Sequence, residues 1–222
     1  MKRISHGTYA MVFSVASLVL IGNALLAIWC LPLVALLVTT DPSLSWPLIA
    51  IAAVWCGPGV AALFRVFRAQ REGETGVVRP FLRGLRETWR SALAVAGVAV
   101  AIAVVAIVDV VVLLPTAAAI AAPLMAVVAL LALAGGMVGL VAVAEAPEIR
   151  LRDVLRMAPL VAVRRWPFTV ASLAVAAVQA VVFVQAPALG LGLTATACLY
   201  VVWSGGRHSL QPAPERAAKA AA

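Results

Sequence analysis

The sequence predicts an all-α, polytopic transmembrane helix bundle of about six spans, with both termini cytoplasmic. Three observations carry this reading. The composition is 64% hydrophobic and only 12% charged, long apolar runs recur along the chain, and the basic residues are sorted by loop. A soluble domain is about 45–50% apolar and about 25% charged. A chain of 222 residues with this makeup could not cover a water-facing surface with polar groups, which excludes a soluble enzyme. Disorder is excluded too, because it requires low hydrophobicity.

A helix that crosses the hydrocarbon core takes roughly 20 largely apolar residues. Six runs approach or exceed that length, at 9–38, 47–64, 91–114, 117–144, 167–184 and 188–203; five spans is the rival count. The first run is read as an uncleaved span that tilts or whose start lies along the interface, since a signal peptide has an apolar region of only ~7–15 residues. Only Gln185, Ala186 and Pro187 join the last two runs, which predicts a tight hairpin, with a partly re-entrant pair as the alternative. Segment 92–107 is apolar on every face, unlike the alternating strands of a barrel, so helices are the remaining membrane-compatible structure. Residues 1–205 form one membrane domain, and 206–222 a loose, Pro- and Ala-rich cytoplasmic tail.

The 17 basic residues set the orientation. Lys2 and Arg3 precede the first run. Arg65, Arg68, Arg71, Arg79, Arg83, Arg86 and Arg90 lie between or flank the second and third. Arg150, Arg152, Arg156, Arg164 and Arg165 separate the fourth and fifth, and Arg207, Arg216 and Lys219 follow the sixth. The intervening loops, around Asp41, Pro115 and Gln185, hold none. Basic loops stay in the cytoplasm, so both ends are predicted there. The net charge of +8 and the sequence pI of about 10.7 are thereby explained by insertion and by anionic lipid, without nucleic acid. Tryptophans follow the same geometry: Trp46 falls at the outer rim and Trp89, Trp166 and Trp203 at the inner one, as interface anchors. Trp29 and Trp55 fall deeper, where they pack between helices.

Two basic linkers have helical pattern. Pro80 opens a segment in which Phe81, Leu82, Leu85 and Trp89 share a face, while Arg79, Arg83, Arg86 and Arg90 lie opposite. This predicts an amphipathic helix on the inner leaflet, whose arginines form a docking face for a partner or reach the head groups. Leu151, Val154, Leu155 and Ala158 repeat at i, i+3, i+4 and i+7, with Arg152 and Arg156 opposite.

Site chemistry is sparse. Cys30, Cys56 and Cys198 lie in apolar runs, far apart and with no C-x-x-C pair, and read as apolar fillers. His6 and His208 sit near the two ends without acidic neighbours. Neither a phosphate-binding glycine loop nor a metalloprotease or hydrolase motif is present. The expectation is a protein without enzymatic activity, metal or cofactor, with the bilayer as its partner and homo-oligomers compatible with it. Two polar residues inside runs, Asp109 and Asn23, define the candidate intramembrane polar site. Asp109 lies close to the outer end of its run, and Asn23 suits hydrogen bonding to a neighbouring helix. With the mid-run prolines Pro32, Pro58 and Pro123, expected to kink their helices, these residues motivate one functional reading, a small secondary transporter or channel. Gly135 and Gly139 supply a G-x-x-x-G spacing for close helix approach. Glu145 and Glu148 are expected as solvated partners of nearby arginines.

A family pattern covers residues 21–89. Residues 23–29 read Asn-Ala-Leu-Leu-Ala-Ile-Trp and precede Leu31-Pro32. Residues 57–64 read Gly-Pro-Gly-Val-Ala-Ala-Leu-Phe, followed by Arg65-Val66-Phe67-Arg68, a Gly73-Glu74 turn, Phe81 and Trp89. This resembles the YesL-like family of bacterial integral membrane proteins, a domain of unknown function; residues 151–165 leading into Pro167 are similar to its second cytoplasmic linker. The resemblance implies the bacterial inner membrane and an accessory or regulatory role beside a carbohydrate ABC uptake system, with its permease subunits as partners. It implies no catalytic or ligand residue.

Overall fold

A computed structural model describes residues 6–116, 118–185, 190 and 194–210. Among these the regular elements are all helical: α1 (His6–Trp29), α2 (Leu31–Thr39), α3 (Pro42–Arg71), α4 (Val78–Leu113), a 3-10 turn at Ala119–Ala121, α5 (Ala122–Glu145), α6 (Leu151–Arg164), α7 (Trp166–Gln185) and α8 (Ala195–Leu210). Among the described residues four helical stretches, Ser43–Arg71, Val78–Leu113, Ala119–Glu145 and Trp166–Phe183, are long and apolar enough to cross a membrane; the count reaches five if α1 and α2 form one span.

The first run is therefore not one tilted helix. It breaks at Cys30, with 69° between the axes of Val15–Trp29 and Leu31–Thr39. Pro32 stands at the start of α2, where it has no N–H to continue the ladder and its ring opposes the preceding turn. The other prolines act differently. Pro58 lies inside an uninterrupted α3, and Pro123 falls in the first turn of α5, where a missing donor costs nothing. Asp41 caps α3 by accepting from the Ser43 N–H (2.8 Å) and hydroxyl (2.7 Å). At its other end Gly73 takes φ +88°, which lets the Glu74 N–H return to the Ala69 carbonyl at 2.9 Å.

The separate amphipathic helix expected at 80–90 is instead the first third of α4. This helix runs unbroken for 36 residues, about 54 Å at 1.5 Å per residue. No stop signal follows Pro80, and Gly84 lets α3 approach closely, since a Cβ there would lie 2.8 Å from the Cβ of Arg65. The inward face also differs from expectation. Pro80, Phe81, Gly84 and Thr88 are buried, whereas Leu82 is exposed, because α3 packs along α4 rather than the bilayer under it. α6 matches its pattern: Val154 and Ala158 are buried, and Leu151 and Leu155 pack on the core. The sixth run ends later than expected. α8 reaches Leu210, so 206–210 are helical rather than tail; the hairpin expected at 185–187 and the rest of the tail fall on residues 186–189 and 211–222, outside the described residues.

α3 and α4 are antiparallel neighbours. Gly57 meets Ala92 and Ala96, and Gly84 meets Arg65 and Ala62. α5 lies against α4 through Gly136, whose added Cβ would fall 2.6 Å from that of Ala99, and through Gly139 facing Val95. Gly135 faces Pro159 of α6. The core gathers at one end of this bundle. Ala61, Ala62, Leu63, Phe64 and Val66 are wholly buried, alongside Phe67, Phe81, Val141, Val143 and Trp203. Toward the other end the helices present Leu44, Ile51, Val111, Val112 and Leu124 outward. An exposed apolar surface of this extent suits hydrocarbon and not water.

Candidate functional site

The buried end of the bundle is also the arginine-rich end. Four helices meet there through polar side chains. Arg65 donates to the Ala144 carbonyl at 3.3 Å and Arg68 to the Glu145 carbonyl, so two arginines of α3 satisfy the open carbonyls at the α5 C-terminus, where the helix dipole favours positive charge. Arg65 also pairs with Glu87 of α4. Arg68 pairs with Glu72 at 2.8 Å, and the guanidinium holds the Glu72 carboxyl below its usual range. The Glu145 side chain faces α8, accepting from the Trp203 indole N–H at 2.9 Å, with the Arg207 Nε at 3.7 Å. Arg207 in turn stacks over the Trp203 ring, 5.7 Å from its centroid. Glu145 is thus an internal tie between α5 and α8 rather than the solvated surface feature expected, while Glu148 is exposed.

Deeper in the bundle, Asn23 is 1% exposed. Its Oδ1 accepts both the Thr196 N–H (2.7 Å) and the Thr196 hydroxyl (2.8 Å). An α1 side chain thereby satisfies a donor in the first turn of α8. Nearby, Gln179 of α7 donates to the Gly190 carbonyl at 2.7 Å and accepts from the Thr194 hydroxyl at 2.8 Å.

Trp29, Trp55 and Trp89 form one aromatic cluster. Trp29 and Trp55 stack with centroids 5.5 Å apart, and Trp89 sits edge-on to both, at 5.7 and 5.2 Å. The Trp29 N–H donates to the Trp55 carbonyl at 3.0 Å. Gly59 admits the Trp29 ring, which a Cβ would meet at 2.4 Å.

Of the residues singled out by sequence, Asp109 is half-buried near the end of α4 and makes no hydrogen bond or ion pair among the described residues. It stands toward the opposite end of the bundle from Asn23, so the two do not form one site. Arg79, Arg83, Arg86 and Arg90 are all exposed along α4; Arg83 pairs with Glu74 at 2.9 Å. Trp46 and Trp166 are exposed, the latter 66%. Trp89 is half-buried within its cluster, and Trp203, expected as an interface anchor, is 2% exposed. Its indole N–H is taken by Glu145, so it anchors to protein. Cys30 and Cys56 are distant in sequence but meet in the core at the α1–α2 break, where their thiols lie side by side. Sequence reasoning does not find the roles of Arg65, Arg68 and Glu145; the only sequence signal is their place at the ends of charge-free runs. Among the described residues no group of His, Cys, Asp and Glu is arranged to hold a metal.

Comparison with protein-family models, curated proteins and solved structures returns no match for this chain.

Proposed function

We propose that the chain is a YesL-like, six-span protein of the bacterial inner membrane with cytoplasmic termini, and that it serves as a non-enzymatic accessory or regulatory partner of a carbohydrate ABC uptake system. The residues of 21–89 that resemble the family support the assignment. The observation that carries the accessory role is the outward row of arginines on α4. It is held on a rigid helix continuous with a span, and Arg79, Arg86 and Arg90 have no ion-pair partner among the described residues. Within that row only Arg83 has an acidic partner, Glu74, and a basic row held this way is suited to an acidic face on a permease subunit. Affinity purification in mild detergent tests this. Permease subunits should accompany the wild type, and the reversal Arg79→Glu with Arg83→Glu should abolish co-purification with membrane levels retained. Retention of a confirmed partner after the reversal removes this face from the proposal.

A second reading, a small secondary transporter or channel, is favoured by two features. The broken α1–α2 segment and the polar contacts of Asn23 with α8 resemble the discontinuous helices on which transporter sites are built. Uptake by the purified protein in vesicles, without any partner, separates the two.

A further inference from the structure

Between the end of α1 and the outer side of α4 lies an open groove of about 510 Å³. Trp29 forms one wall, and Arg86, Trp89 and Arg90 line the other. Arg86 and Arg90 are one helical turn apart, exposed, and have no carboxylate partner among the described residues. The carboxylate in the lining, Glu87, is paired with Arg65 and does not neutralise them. The register of α3 and α4 sets the level of the groove. Gly84 is opposite Arg65, the first charge after the apolar run of α3, so residues 85–91 begin where that charge-free run ends and continue into it. The groove therefore combines unpaired cations, aromatic walls and the level at which hydrocarbon gives way to head groups.

We propose that this groove binds the head group of an anionic phospholipid from the leaflet on the arginine side. The phosphodiester would sit between the Arg86 and Arg90 guanidinium groups, which suit its oxygens in charge and fork geometry. Trp29 and Trp89 would pack against the glycerol and first acyl carbons, the placement favoured by interfacial indoles. Zwitterionic lipid has the same phosphate, but its ammonium would meet two uncompensated arginines, which provides selectivity.

The test is native mass spectrometry of the purified full chain from mixed micelles of phosphatidylglycerol and phosphatidylcholine at equal concentration. The wild type should retain phosphatidylglycerol with a preference of about tenfold or more, the scale that two interfacial arginines supply. Arg86→Gln with Arg90→Gln should remove that preference, and Trp89→Leu should weaken it. Arg150→Gln with Arg152→Gln, which removes the same charge elsewhere at the arginine-rich end, should leave it intact. An equal loss in that control would reduce the effect to diffuse surface charge and overturn the site. So would a wild type without preference, or displacement of the lipid by inorganic phosphate, which would indicate a free-anion site. Should the double variant fail to fold, Arg90→Gln alone carries the same comparison.

Discussion

Asn23 is buried and accepts two hydrogen bonds from Thr196, so Asn23→Ala leaves buried donors unmatched. The expected loss is about 1–2 kcal/mol, read as a lower melting temperature in detergent. A neutral Asn23→Ala would show that Thr196 finds another partner. Glu145 allows a finer comparison, since its two oxygens face different donors. Glu145→Gln keeps an acceptor for the Trp203 N–H and weakens only the 3.7 Å approach of Arg207, so it should be nearly silent. Glu145→Ala loses both and should cost about 1–3 kcal/mol. Equal effects of the two variants would place the weight on the ion pair instead.

Among elements, the helices are held in register by absent side chains. Gly136 faces Ala99 so closely that a Cβ there would stand 2.6 Å from another Cβ, and neither carbon can rotate away. Gly136→Val should therefore part α4 from α5 at about 1–3 kcal/mol. Gly97, whose nearest foreign atom lies 3.8 Å from the built Cβ, should accept Ala without loss. Thermal stability of the pair in one detergent checks both, and equal tolerance at the two positions would contradict the packing. The same logic explains α4. A sequence read for membrane spans divides it at Ser91, where charge ends, yet the backbone ladder has no reason to stop there. Its first third is held by α3 through Phe81, Gly84 and Thr88.

Across the whole molecule, the core and the charge lie at the same end, while the other end presents apolar side chains outward. Under the proposed topology, a reporter active only outside the cytoplasm should work at Thr40 and Thr116 and fail at Gly76 and Arg152. Activity at Gly76 would overturn the orientation. Asp109 belongs to this scale too, because its surroundings are the outward apolar residues Ile107, Val108, Val111 and Val112. Asp109→Asn should preserve membrane levels and any growth phenotype of the deletion strain. Normal levels with complete loss of function would shift weight to the transporter reading.

The sequence by itself determined what one-dimensional chemistry controls. Apolar runs free of charge dictate helices, because hydrocarbon leaves the backbone no other partner. The clustering of arginines dictates which loops share a side, and the spacing of Leu151, Val154, Leu155 and Ala158 dictates the inner face of α6. Proline is only partly legible: Pro32 breaks a helix, whereas Pro58 does not, and nothing local distinguishes them. What only the tertiary structure decided is every contact between segments remote in the chain. That Arg65 and Arg68 close the end of α5, that Asn23 meets Thr196, that Trp203 turns inward to Glu145, and that Cys30 touches Cys56 all depend on how the helices pack. The physical reason is the near-uniformity of the apolar surface. With Ala and Val on every face, periodicity does not say which side of a helix meets a neighbour, and small residues and buried donors make that choice once the helices are together.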